Sequence, residues 1–176
     1  YSFYNCPIPN GNMLRKMQCD FGWDWNIALA PFGVLGDMWV EPQTLARLDG
    51  IQIDQIHAEN SATVTVTAKI VGDAEGQKVV FQLNGATKEA NVFGRVACAK
   101  FNIHKPELWW PVGYGMQPLY DLEVHLGEQI VKRRIGLRTI DLVVEDDDAG
   151  TGFKFRVNGK DIFAKGANWI PADALS

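Results

Sequence analysis

Cysteine is scarce in this 176-residue chain, and the three present, Cys6, Cys19 and Cys98, stand at long spacings with no CxxC pair. That argues against a structural zinc site, whose ligands come in close pairs. Each reads as a small buried hydrophobe, and whether two of them form a disulfide stays open. Histidine is equally sparse: His57, His104 and His125 lie on separate segments, with no pair at helical ligand spacing, so a zinc hydrolase is not supported. Long apolar runs are missing, and the first residues do not form a signal peptide, so no membrane partner is expected. The compartment stays open, with a soluble, intracellular setting favoured, and the lack of an initiator Met agrees with an excised piece and carries no word on targeting. Basic charge is also short. The net charge is -4 and no stripe of Lys and Arg with interleaved aromatics occurs, which argues against nucleic acid. The acidic run Glu145–Asp148 lacks the alternate-position ligands of a calcium loop and reads as a solvated linker. No metal and no cofactor is expected. Amphipathic helices, internal repeats and low-complexity segments are absent as well.

What is present is a strand pattern rich in aromatics. Hydrophobic residues make up 47% and charged residues 22%, enough for a folded core. Thr63–Ile70 alternates strictly, with Val64, Val66, Ala68 and Ile70 on one face and Thr63, Thr65, Thr67 and Lys69 on the other, as in a half-buried strand. Lys78–Leu83 and Tyr120–Leu126 repeat the pattern, and Asn84-Gly85 and Gly127-Glu128 supply turns. Gly50–Glu59, Glu89–Val92 and Arg95–Ile103 are further strands, the first with a register shift expected near Gln55-Ile56. Gln129–Leu142 changes parity between Leu137 and Ile140, so a bulge or bend is expected near Gly136 or Arg138. About seven short strands predict an all-β fold, an immunoglobulin-like antiparallel β-sandwich, flanked by partial pieces of neighbouring domains. There is no Cys–Trp–Cys framework of the antibody kind.

Before the sandwich, Tyr1–Glu41 holds too few strands for its own core, among them a short strand expected at Val34–Val40, and Pro42–Leu48 reads as a linker. After it, an acidic linker leads to a hairpin over Phe153–Phe163 that turns at Asn158-Gly159. The run Ile162-Phe163-Ala164 reads as a short buried strand, followed by Asn168-Trp169 and Pro171. Polar and aromatic residues past a buried strand end are suited to a sugar pocket at the mouth of an α/β barrel. An ordinary strand end is the plainer alternative. Phe21-Gly22-Trp23-Asp24-Trp25 is a hairpin corner on the plain reading. On the functional one, Asp24 takes hydrogen bonds from sugar hydroxyls and Trp23 offers an apolar face to the ring. Leu108-Trp109-Trp110-Pro111, with Gly113 and Gly115, reads on the plainer view as an aromatic loop pinned over the sandwich end, and on the functional view as a carbohydrate-stacking platform. Arg138, at the parity change, stands apart from the solvent-facing Arg133 and Arg134.

Cys19–Trp25, Leu108–Gly115 with Gln117–Tyr120, and Arg134–Ile140, in this order, resemble glycoside hydrolase family 2 and, within it, the β-mannosidases. Phe155–Lys160 and Lys165–Asp173 fit as well. β-Galactosidases and β-glucuronidases of the same family end the first barrel strand differently. Asn26 departs from the Gly that commonly follows. The resemblance implies three pieces: residues 1–41 as the last strands of a jelly-roll, 42–142 as the immunoglobulin-like sandwich, and 143–176 as a linker with the first strand of a (β/α)8 barrel, the three in intramolecular contact. It implies a retaining exo-β-mannosidase as parent, acting on β-mannoside oligosaccharides through two glutamates that lie beyond Ser176. No residue here is therefore assigned as catalytic. By the same resemblance Trp23 and Asp24 hold hydroxyls of the terminal mannose, and Asn168 and Trp169 line the same pocket. The competing readings are a non-catalytic carbohydrate-binding or spacer module, and another family 2 glycosidase such as a β-galactosidase.

Overall fold

The computed structural model describes residues 13, 15, 33–34, 36–40 and 46–169. The chain divides into two compact units, Tyr1–Val40 with Lys165–Ser176, and Glu41–Ala164. The second unit carries nearly all the described structure. β1 (Arg47–Ala58), β2 (Ser61–Val71) and β5 (Val96–His104) form one antiparallel sheet in the order β1-β2-β5. β3 (Lys78–Leu83), β4 (Ala86–Asn91), β6 (Tyr120–Leu126) and β7 (Gln129–Ile135) form the other, in the order β4-β3-β6-β7. Three strands facing four make an immunoglobulin-like sandwich.

Period-two alternation builds the core. Ala62, Val64, Val66 and Ala68 of central β2 are fully buried, while its threonines stand on the wetter face. Val79, Phe81 and Leu83 of β3 and Leu122, Val124 and Leu126 of β6 complete the packing from the opposite sheet. Each of these Val, Leu and Phe side chains contributes about 1.5–3 kcal/mol by leaving water, so a one-residue slip of β2 or β3 is ruled out energetically. Asn84 and Gly85 both take positive φ, 47° and 86°, the pairing a two-residue I′ turn needs between right-twisted strands.

The register of β1 differs from the sequence expectation. Its pairing with β2 runs unbroken from Gly50 to Ala58, and the irregularity lies between Leu48 and Gly50. Ile56 is simply exposed, and Gln55 keeps the inward parity because its amide has partners across the sandwich. Gln55 Nε2 donates to Gly136 O (3.1 Å), and Gln55 Oε1 accepts from Arg138 N (3.2 Å). His57 Nε2 lies 3.0 Å from the same Oε1, and burial lowers the pKa of this ring. At the other end of β1, Leu48 N donates to Gln129 Oε1 (2.7 Å). Two glutamines thus clip edge strand β1 to edge strand β7 and the segment just after it, where no ladder joins the two sheets.

Gln129–Leu142 is not one bent strand. β7 ends at Ile135, and β8 (Ile140–Val143) belongs to a separate sheet. The parity change marks the passage from one sheet to the other. The acidic stretch is a small hairpin and not a linker: β9 (Asp146–Asp147) pairs with β10 (Gly150–Thr151). Asp147 Oδ1 accepts from Ala149 N (2.8 Å) and Gly150 N (3.1 Å), the local competition for backbone donors that makes Asp a turn residue. β11 (Lys154–Val157) and β12 (Lys160–Ile162) close the expected hairpin at Asn158-Gly159 and, with β8, form a sheet in the order β12-β11-β8.

Three further expectations meet differences. The described residues of Val34–Val40 are not a strand. The stretch read as linker up to Leu48 already contains the start of β1 at Arg47, with Leu48 in the core. Ile162-Phe163-Ala164 is not a buried strand. β12 stops at Ile162, and Phe163 is 74% exposed because no described element packs over it.

Candidate functional site

The loop between β5 and β6 ties the sandwich to the β8–β12 region, and it does so with its aromatics. Tyr120 Oη, at the start of β6, accepts from Glu107 N (2.9 Å) and fixes where the loop begins. Trp109 N then donates to Leu137 O (2.9 Å), and a Cβ built on Gly136 would stand 2.8 Å from Trp109 Cγ. Only glycine lets the indole lie that close to the backbone. The Arg138 guanidinium carbon sits 4.8 Å from the centre of the same ring, a cation–π geometry, and its Nη1 donates to Gly136 O (3.3 Å). Trp110 N donates to Met116 O (2.9 Å), and its ring lies against Gly115. The two tryptophans are half-buried loop anchors, as the plainer reading of this motif expects.

Asn158 carries the connection onward. With φ at 49° in the left-handed region, its side chain reaches two other segments at once. Its Nδ2 donates to Trp109 O (3.0 Å), and its Oδ1 accepts from Thr139 N (2.9 Å). Its own N–H donates to Thr139 O (3.1 Å). Tyr114 holds the far strand of the hairpin: Tyr114 Oη accepts from Phe163 N (3.0 Å), and Lys160 Nζ stands 5.5 Å from the centre of the ring. Gln55, Asn158 and Tyr114 are the anchors that sequence reasoning passed over. Asn158 carried a signal, its Asn-Gly turn, but that signal announced only the hairpin.

Of the sequence-predicted pocket residues, Asn168 and Trp169 are described. Both lie in irregular chain with their side chains exposed, Trp169 at 84%. An indole offers an apolar face, and a primary amide offers a hydrogen-bond donor and acceptor. Trp23 and Asp24 lie outside the described residues. Among the described residues no group of three or more His, Cys, Asp or Glu side chains gathers as metal ligands would. No described helix is long and apolar enough to cross a membrane. Cys98 is an exposed free thiol on the wet face of β5 and not the buried hydrophobe expected; Cys6 and Cys19 lie outside the described residues.

This sandwich, with its aromatic loop and attached hairpin, belongs to the glycosyl hydrolases family 2, whose family model matches residues 37–138. A second model, the glycosyl hydrolase 2 galactose-binding domain-like family, matches residues 2–36. Within the family the chain is similar to β-mannosidase B of Emericella nidulans, 32% identical over 92% of this chain and 21% of that protein. It is 34% identical to β-mannosidase B of Aspergillus terreus, over 92% of this chain and 20% of the relative. Among solved structures it superposes on a β-D-mannosidase from Dictyoglomus thermophilum with a TM-score of 0.72 at 29% identity, covering 91% of this chain and 22% of that one. The chain therefore spans about a fifth of the length of the relatives it matches.

Proposed function

We propose that the chain is the central part of a retaining exo-β-mannosidase that removes terminal β-D-mannose from the non-reducing end of β-mannoside oligosaccharides. One observation carries this reading: the match to proteins named β-mannosidase extends over nine-tenths of the chain, beyond the sandwich that family 2 enzymes of other specificities share. On this reading residues 1–41 finish a jelly-roll, 42–142 form the sandwich, and 143–176 lead into the first strand of a (β/α)8 barrel. Trp23 and Asp24 reach the terminal mannose from one side and Asn168 and Trp169 from the other. These four bind and shape. Bond cleavage falls to two glutamates, an acid/base and a nucleophile with carboxyls about 5–5.5 Å apart, on barrel strands past Ser176. By itself the 176-residue chain is expected to be inactive, with the sandwich acting as a spacer that holds the two pocket walls in register.

The test is turnover of p-nitrophenyl β-mannoside by the full-length protein and by this chain. Clear activity is expected in the first and none in the second. Full-length turnover of the β-galactoside or β-glucuronide instead would sink the substrate assignment. In the full-length protein Asp24→Ala should lower kcat/KM by about a hundredfold, the scale of losing charged hydrogen bonds to hydroxyls. An unchanged kcat/KM refutes the pocket role of Asp24.

A further inference from the structure

Asn-Gly occurs three times in the chain, at Asn10-Gly11, Asn84-Gly85 and Asn158-Gly159, and the first pair lies outside the described residues. The other two turn their hairpins alike. Asn84 and Gly85 have φ of 47° and 86°, and Asn158 and Gly159 have φ of 49° and 79°. Each Asn N–H donates to a carbonyl of another strand or loop, Asp121 O (2.9 Å) for Asn84 and Thr139 O (3.1 Å) for Asn158. Neither glycine N–H bonds to a described backbone carbonyl. With no Cβ to crowd it, that nitrogen is open to the carboxamide carbon of the preceding Asn. The two sites differ in what holds the side chain. Asn158 is tied at both ends, Nδ2 to Trp109 O and Oδ1 to Thr139 N, so its amide does not turn without breaking a bond. Asn84 is exposed, and its carboxamide bonds to no described residue.

We propose that Asn84 is a site of spontaneous covalent modification in the native protein, losing its amide through a cyclic imide, and that the clamp on Asn158 keeps the matching pair intact. The Gly85 backbone nitrogen gives its proton to solvent and attacks Cγ of Asn84. A C–N bond forms, the Cγ–Nδ2 bond breaks, and ammonia leaves. Water then opens the imide. Attack at the side-chain carbonyl leaves aspartate. Attack at the main-chain carbonyl routes the chain through Cγ and leaves isoaspartate, with an extra methylene in the backbone. Either product adds a negative charge, and no oxidant or cofactor takes part. The fold bears this change at one turn and not at the other. β4 is an edge strand, exposed along its length except at Ala90, so a longer turn between β3 and β4 is absorbed by β4 alone. At Asn158 a carboxylate has no proton to donate to Trp109 O, and the hairpin would come away from the aromatic loop.

The test ages the full-length protein in mildly alkaline buffer, once folded and once in denaturing urea. Peptides carrying Asn84 and Asn158 are followed by mass spectrometry. Isoaspartate is read by methyl transfer from S-adenosylmethionine with an isoaspartyl methyltransferase as the probe. In the folded protein Asn84 should convert at least about tenfold faster than Asn158, the factor set by breaking two ordinary hydrogen bonds. In urea that advantage should disappear, because both sites are then the same free dipeptide. Equal rates in the folded protein overturn the proposal, and so does an Asn84 that converts in urea but stays intact when folded. A tenfold difference that persists in urea overturns the role of the clamp. Aspartate at position 84 with no isoaspartate overturns the imide route, since direct hydrolysis of the amide gives aspartate alone.

Discussion

At the scale of single residues, the positions that matter most for joining the parts are polar side chains bonded to backbone. Asn158 is the clearest. One amide satisfies Thr139 and Trp109 while its backbone holds a left-handed conformation that Asn tolerates better than most residues. Asn158→Ala should cost about 1–3 kcal/mol by urea denaturation, from a lost donor, a lost acceptor and added strain. Asn158→Gly should recover the strain part only, so the difference between the two variants isolates the backbone contribution. A cost for Gly as large as that for Ala would show that strain contributes nothing. The Asn-Gly pair made the turn legible in the sequence. The clamp was not, because its partners lie 19 and 49 residues away and no local pattern marks them.

At the scale of elements, the strands of the sandwich were legible because burial of one face imposes period two. Val64–Ile70, Val79–Leu83 and Tyr120–Leu126 show it without interruption, and the structure follows them. Reading failed where an apolar residue is left in water or a polar one is brought inside. Ile56 and Gln55 are such a pair, and they suggested a register shift that does not exist. The β12-β11-β8 sheet failed in another way, since Ile162-Phe163-Ala164 looks like core in sequence and Phe163 is open to water. Its charged face gives a pH signature. The Asp161 carboxyl is depressed from 3.8 to about 2, chiefly by Arg156 and then Lys154. A depressed carboxylate stabilises the fold above its unfolded value, and that contribution fades as pH falls from 3.8 towards 2. The Asp161 carboxyl carbon should titrate by NMR with a midpoint near 2, and Asp161→Asn should flatten the dependence of Tm on pH across that interval. A midpoint at 3.8 would mean the ion pairs do not form in solution.

At the scale of the whole molecule, the proposed pocket is shared between pieces far apart in sequence, and the sandwich between them has to be stiff. Trp23-Asp24 and Asn168-Trp169 were raised as sugar contacts by residue type and position, and a family resemblance then assigned them to one pocket. Composition and spacing alone favoured a plain hairpin corner for the first pair and left an ordinary strand end open for the second. The two glutamine clips give that stiffness a timetable. Gln55 meets Gly136 and Arg138 across more than 80 residues, and Leu48 meets Gln129 across 81. Contacts that distant form after local hairpins, because the whole intervening chain must first be gathered. The clips are therefore late closures: they slow escape from the native state and do little to hasten arrival. Gln55→Ala should raise the unfolding rate in a chevron measurement by about tenfold while leaving the folding rate within about twofold. A variant that instead folds tenfold more slowly would place the clip in the nucleus. During synthesis the consequence is an order of events. The first strand of the sandwich waits unlatched until its last strand has been made, so the path into the sheet that follows is set only moments before that sheet itself emerges.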